Sequence, residues 1–115
     1  MPPNLKPSEP LSQVVFIHDY LQLWFQDERF NVYNLAEIEH GGAKLAQGQL
    51  GYCDSLVALI GQRVVGVSKS DSHVLVLSFE GGARFSVRGD AEAIHGPEAF
   101  EFNGEGQYLV VERNP

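Results

Sequence analysis

The chain has little cysteine, no long apolar run and few positive charges. A single cysteine, Cys53, excludes an internal disulfide framework and is compatible with a reducing cytoplasm. No apolar run approaches the roughly 20 residues that a membrane-spanning helix needs. The first residues also lack the apolar core of a signal peptide. We therefore expect a cytoplasmic protein without a membrane partner.

Positive charge is both scarce and dispersed along the chain. Eight Lys and Arg residues against fifteen Asp and Glu residues give a formal net charge of −7. Nucleic-acid binding depends on concentrated Lys and Arg that displace counterions, so no nucleic-acid partner is expected. An acidic surface can instead be the face shown to a basic protein partner.

Residues that hold metals or cofactors are not grouped along the chain. The four histidines lie far apart, and none begins a His-x-x-x-His or Cys-x-x-Cys pattern. No glycine-rich nucleotide-binding sequence opens a helix. The sequence therefore predicts no cofactor, no metal site and no catalytic residue. A site assembled from distant loops is the alternative.

The strongest structural pattern lies between residues 61 and 89. Two runs of alternating apolar residues flank Glu80-Gly81-Gly82 and predict a β-hairpin. A three-residue loop sets Leu77 opposite Phe85 and gives one face that is entirely apolar. That face consists of Leu75, Leu77, Phe79, Ala83, Phe85 and Val87. A further strand at residues 64–67 would make the hairpin a three-stranded meander.

Residues 51–61 are the one segment with a convincing helical pattern. Tyr52, Leu56, Leu59 and Ile60 recur at i, i+4, i+7 and i+8, which predicts a single apolar stripe. Gly61 stands where a left-handed residue ends a helix. Such a short helix is not stable alone, so we expect its stripe to pack across the meander.

The remaining segments fix the predicted fold class. Alternation predicts strands within residues 13–27, 30–35 and 98–102, and a last strand at 108–111 that lies inside the sheet. Residues 37–51 are predicted as a loop with one helical turn at 43–47. We predict an α+β fold, mainly an antiparallel sheet or open barrel of six to seven strands packed on one short helix. Residues 1–12 would be a flexible N-terminal lead, and residues 13–115 a single globular domain.

Four short stretches of the chain together carry a family resemblance: residues 18–25 (HDYLQLWF), 51–61 (GYCDSLVALIG), 75–82 (LVLSFEGG) and 96–99 (GPEA). They resemble a family of small, uncharacterised bacterial proteins without an assigned activity. The resemblance implies a bacterial domain of unknown function and carries over no catalytic residue. By size and charge alone, the chain is also similar to immunity proteins of bacterial toxin systems.

One group of candidate binding residues lies on a predicted strand. Tyr20, Gln22 and Trp24 would share one face and form an aromatic and polar stripe, a composition typical of recognition surfaces. The stripe could equally be the floor beneath a loop or helix. His18 and Asp19 precede it, and neighbours on a strand point to opposite faces. These two could cooperate only if the chain bends there.

A second group, Tyr52 and Cys53, lies at the predicted helix start. The helix start can lower the pKa of a thiol, but a free cysteine also packs as a small hydrophobe. The leading hypothesis is a non-catalytic domain that acts through protein contact or self-association as a homodimer. One alternative is an immunity-like inhibitor whose acidic face occupies the basic site of a toxin. The other is a small-ligand binder or enzyme with a pocket between helix and sheet, using Tyr52, Cys53 and His18.

Overall fold

The computed structural model describes residues 5–104 and 109–115, and within these ranges the chain forms ten strands and one α-helix. In chain order the strands are β1 (Gln13–Phe16), β2 (Leu21–Phe25), β3 (Glu28–Val32), β4 (Ala36–His40), β5 (Ala43–Ala46), β6 (Val64–Ser68), β7 (His73–Phe79), β8 (Arg84–Arg88), β9 (Glu98–Asn103) and β10 (Leu109–Arg113). Helix α1 (Tyr52–Val57) follows β5, and a 3₁₀ turn (Ala91–Ala93) follows β8.

The strands form two antiparallel sheets of five strands each. Sheet I has the order β1-β2-β3-β9-β10, and sheet II has the order β5-β4-β8-β7-β6. The mainly antiparallel α+β class is therefore confirmed. The prediction of one sheet or open barrel with six to seven strands is wrong, because the strands divide between two sheets.

The meander β6-β7-β8 forms one side of sheet II, with β6 as the edge strand, and β7 and β8 pair in the predicted register. Leu77 pairs with Phe85 and Leu75 with Val87, and all four side chains are buried. The three-residue loop is closed by the Phe79 amide, which donates to the Ala83 carbonyl over 2.8 Å. Gly82 has a φ of 98°, the left-handed conformation that such a loop requires.

The apolar face of sheet I covers the apolar face of sheet II. On β2 and β3, alternate residues point inward, among them Leu23, Phe25 and Phe30, which are fully buried. The rings of Phe25 in sheet I and Phe79 in sheet II stack 6.4 Å apart. Each sheet has one apolar face, and pairing the two faces buries both in a single core. A second sheet therefore does the packing that the sequence assigned to the helix.

Helix α1 is shorter than predicted and lies elsewhere. It neighbours β4 of sheet II and β1 of sheet I, so it bridges the two sheets and does not lie across the meander. Tyr52, Leu56 and Leu59 are buried as expected, but Ile60 is 45% exposed. The helix ends at Val57, and the turns that follow rotate Ile60 out of the stripe.

Residues 36–46 form the hairpin β4-β5, so the predicted loop and helical turn are wrong there. Ile38 is buried opposite Leu45, while the side chains of Glu37 and Glu39 lie on the outer face. Gly41 and Gly42 make the two-residue turn with φ values of 60° and 83°. Positive φ at both positions is the geometry of a type I′ hairpin. Three residues of β4 and β5 are alanines. Their small side chains weaken the alternation of large apolar residues from which these strands could have been predicted.

Strand β10 is the edge of sheet I, so its predicted position inside a sheet is wrong. Leu109 is 55% exposed and Val111 is 37% exposed. These apolar side chains lie on an edge strand whose free edge no other described strand covers, and the strand is not buried on both faces. Part of the strand and turn predicted here, residues 105–108, lies outside the described residues.

Residues 5–12 make defined contacts with the rest of the chain. Leu11 is only 1% exposed and belongs to the shared core. Its amide donates to the Gln62 carbonyl over 2.9 Å, and the Gly61 amide donates to the Leu11 carbonyl over 2.8 Å. The Ser8 amide and hydroxyl both donate to Oε1 of Glu28. The domain boundary at residue 12 stays a prediction.

Candidate functional site

The alternation of β2 places Gln22 and Trp24 on the face of sheet I that points away from the core. Cross-strand partners share a face, and Gln22 pairs with Asn31 and Trp24 with Arg29. On the next strand, Glu101 pairs with Asn31. We call this surface the outer face of sheet I.

Five side chains of this face form a continuous row of hydrogen bonds, called here the polar row: Trp24, Gln22, Asn31, Glu101 and Tyr33. The Trp24 indole donates to Gln22 over 3.1 Å, and the Gln22 amide donates to Asn31 over 3.1 Å. Asn31 donates to Oε1 of Glu101 over 3.2 Å, and the Tyr33 hydroxyl donates to the same oxygen over 2.5 Å. Each side chain is thus held in one orientation before any partner arrives.

Aromatic rings lie at both ends of the polar row. The Arg29 guanidinium lies 4.7 Å from the centre of the Trp24 ring, within the range of a cation–π contact. At the other end, the rings of Tyr20 and Tyr33 lie 5.4 Å apart with a 42° tilt. Tyr20, Trp24 and Tyr33 are all half-buried. The predicted stripe of Tyr20, Gln22 and Trp24 is therefore part of a larger aromatic and polar surface.

Negative charge gathers at the Tyr33 end of the row. Burial, the hydrogen bond to Glu101 and the negative charge of that carboxylate raise the pKa of Tyr33 to about 12. Tyr33 is therefore a neutral hydroxyl donor at physiological pH, beside a carboxylate. This end of the row favours a positively charged group on a partner.

A cleft of about 560 Å³ adjoins the polar row at Tyr33, and its wall includes His18, Asp19, His95 and Glu98. The chain does bend at His18-Asp19, because the Ile17 amide donates to the Tyr20 carbonyl over 2.9 Å. The imidazole and carboxylate of the pair are 3.7 Å apart, with side chains 96% and 86% exposed. An ion pair so open to water contributes little energy.

Neither Tyr52 nor Cys53 lines the cleft that contains His18. Cys53 is exposed, whereas Tyr52 is only 4% exposed and its hydroxyl has no hydrogen-bond partner among the described residues. Burial raises the pKa of Tyr52. A separate cavity of about 260 Å³ lies between the helix and sheet II, but Tyr52 and Cys53 do not line it. Its walls are mainly apolar, and they include Leu59 and Ile38.

Sequence reasoning missed Arg29, Asn31, Tyr33 and Glu101. The alternation of β3 around the buried Phe30 would have placed Arg29 and Asn31 on the outer face. Glu101 reaches Asn31 across 70 positions of sequence. Its role depends on the pairing of β3 with β9, for which the sequence contains no local signal.

Comparisons of the chain with protein-family models, curated proteins and solved structures give no match. The resemblance carried by the four short stretches therefore stays a prediction. Within residues 5–104 and 109–115, no group of three or more His, Cys, Asp or Glu residues is arranged to hold a metal ion. In the same ranges, no helix has the length and apolar character needed to cross a bilayer.

Proposed function

We propose that this protein acts through protein contact and that the outer face of sheet I is its recognition surface. The observation that carries the proposal is the polar row, whose side chains are already ordered and yet remain accessible at Gln22, Trp24 and Tyr33. Binding normally costs free energy for immobilising such side chains. A surface ordered in advance avoids much of that cost.

The composition of the face supports the same proposal. Tyr, Trp and Arg are the residues that most often dominate binding energy at interfaces. Trp24 and Arg29 lie together at one end of the polar row, and Tyr20 lies against Tyr33 at the other. Leu109 and Val111 of the edge strand pair with residues of β9 that face the same side. Their exposed side chains extend the surface with apolar area.

The charge of the face points to a basic partner. The chain carries a net charge of −7. Glu101 accepts a hydrogen bond from Tyr33 at the end of the row, and Tyr33 lines the cleft that holds Asp19 and Glu98. This favours the immunity-like inhibitor as the second candidate function, with the same face occupying a basic site. We also propose the cytoplasmic, bacterial setting, supported by the single exposed thiol and the family resemblance.

The test is a double substitution on the outer face, Tyr20→Ser with Trp24→Ser. Loss of interface aromatics costs about 2 kcal/mol or more each, which corresponds to at least a roughly 30-fold weaker complex. Sedimentation velocity would measure self-association. Quantitative affinity purification would compare the proteins retained by each variant.

The matched control is Leu50→Ser with Val57→Ser, two exposed residues away from the outer face. We expect the control to keep the association of the natural chain while the Tyr20 and Trp24 variant loses it. Both variants should remain folded by circular dichroism. Unchanged sedimentation together with an unchanged set of retained proteins would refute the proposal.

A further inference from the structure

A second group of reactive side chains lies on the outer face of sheet II, away from the polar row. His73 begins β7, Glu37 lies on β4, and Ser70 and Ser72 belong to the turn before His73. His73 Nε2 lies 2.5 Å from Oε1 of Glu37. Its Nδ1 lies 3.2 Å from the Ser70 hydroxyl and 3.1 Å from the Ser72 hydroxyl. The fold thus connects a hydroxyl, an imidazole and a carboxylate in one chain of hydrogen bonds.

The carboxylate determines which nitrogen of His73 can act as a base. Burial acts to raise the pKa of Glu37, but the hydrogen bond from His73 and the nearby charge of Lys44 outweigh it and hold the pKa below its ordinary value. An ionised carboxylate only accepts hydrogen bonds, so Nε2 is the nitrogen of His73 that donates to Glu37. In the imidazole form that acts as a base, the lone pair is then on Nδ1, the nitrogen that contacts the two serine hydroxyls. The side chains of His73 and Glu37 are 19% and 13% exposed, so their contact is shielded from water.

Ser70 faces a cavity that Ser72 does not line. The cavity has a volume of about 300 Å³, and its wall includes His73. Lys44, Lys69 and Arg84 also line it. Lys44 pairs with Glu37 and Arg84 with Glu39. Among the described residues, Lys69 pairs with no carboxylate, so its charge is available to a ligand.

We propose that Ser70, His73 and Glu37 form an acyl-transfer site for small esters whose acyl part carries a negative charge. This activity goes beyond protein contact and uses the other sheet. The arrangement has the roles of a nucleophile, a general base and an orienting carboxylate. Lys69 provides the positive charge that would attract the substrate.

In the first step, the Ser70 oxygen forms a bond to the ester carbonyl carbon while Nδ1 of His73 accepts the hydroxyl proton. The carbonyl π electrons move to the carbonyl oxygen. The intermediate then reforms the carbonyl and breaks the bond to the alcohol oxygen, which leaves with the proton from His73. Water repeats the sequence on the acyl-serine, and the products are a carboxylic acid and free Ser70.

The first experiment treats the full chain with a fluorophosphonate, from which a serine oxygen displaces fluoride. We expect mass spectrometry to locate the adduct at Ser70. General-base assistance is worth about 10²- to 10⁴-fold, so His73→Gln should slow labelling at least a hundredfold. No adduct, an adduct at Ser72, or an unchanged rate in His73→Gln would overturn the proposal.

The second experiment follows hydrolysis of mono-(4-nitrophenyl) succinate. Ser70→Ala should reduce the rate to that of buffer, whereas Ser72→Ala, which removes a hydrogen bond to Nδ1 of His73 but not the nucleophile, should retain hydrolysis well above that of buffer. Both serines are exposed, so neither change threatens folding, and circular dichroism would verify this. Lys69→Ala should slow the succinate ester and leave 4-nitrophenyl acetate unaffected. Equal rates for the two serine variants would overturn the site, and equal effects of Lys69→Ala on both esters would overturn the substrate class.

Discussion

Leu11 offers the most direct test of how the first described residues contribute to stability. Its side chain is 1% exposed within the core that both sheets share. Two main-chain hydrogen bonds, to Gln62 and from Gly61, hold it in place. Leu11→Ala would remove buried methyl groups and leave a cavity that the anchored backbone cannot easily close.

The expected size of the effect follows from burial. Replacing a fully buried leucine by alanine costs about 2 to 5 kcal/mol. With 115 residues, an unfolding entropy of about 2.1 cal/mol/K per residue converts each kcal/mol into a fall of about 4 °C in Tm. Leu11→Ala should therefore lower Tm by about 8 to 20 °C, measured by scanning calorimetry.

Leu50→Ala is the matched control, because the same atoms are removed from a side chain that is 98% exposed. Surface substitutions of this kind stay within about 0.5 kcal/mol, so its Tm should move by about 2 °C or less. If Leu11→Ala and Leu50→Ala had the same Tm, residues 5–12 would be a loose lead and the packing described for Leu11 would be wrong.

Two further predictions concern titration. Burial and the hydrogen bond to Glu101 raise the pKa of Tyr33 to about 12. The neutral hydroxyl therefore stabilises the folded state relative to the unfolded state. This stabilisation is complete below the ordinary tyrosine pKa of 10.0 and is lost as pH rises toward 12. Tyr33→Phe removes this hydrogen bond, so the variant should begin to unfold at a lower alkaline pH than the natural chain. Its titration followed at the phenolate absorbance band should lack one tyrosine that ionises late. An unchanged titration curve would contradict this. For Glu37, whose pKa is lowered from 4.5, the contribution to stability is present above that value and is lost as pH falls through the lower pKa of the folded state. Urea unfolding below pH 4.5 should accordingly show a smaller pH dependence in Glu37→Gln than in the natural chain, and equal slopes would count against the His73–Glu37 contact.

Sequence reasoning succeeded where side-chain periodicity and turn chemistry pointed to the same structure. The β7-β8 register followed from matching Leu77 to Phe85 across a glycine-containing loop. The inward set of β2 followed from simple alternation. Both features depend only on residues close together in the chain, which is why the sequence alone was enough.

It failed where the outcome depended on long-range pairing. The division into two sheets depends on the pairing of β3 with β9 and of β4 with β8. These strands are far apart in the sequence, so no local pattern predicts that they pair. For the hairpin β4-β5, a local signal did exist in Gly41-Gly42, but small alanines hid the alternation. In the candidate sites, Gln22 and Trp24 could be placed on one face, whereas Glu101 could not be assigned to them.

The polar row has a consequence for specificity, because Trp24 and Glu101 fix the direction of the hydrogen bonds between them. An indole can only donate, so Trp24 requires the oxygen of Gln22 to face it, and a carboxylate can only accept, so Glu101 requires the amide nitrogen of Asn31. The two amides between them are left with a single permitted orientation. A bound surface would therefore meet donors and acceptors arranged in one fixed direction along the row. A surface docked in the opposite sense would leave polar groups unpaired, at about 1 to 3 kcal/mol for each buried one.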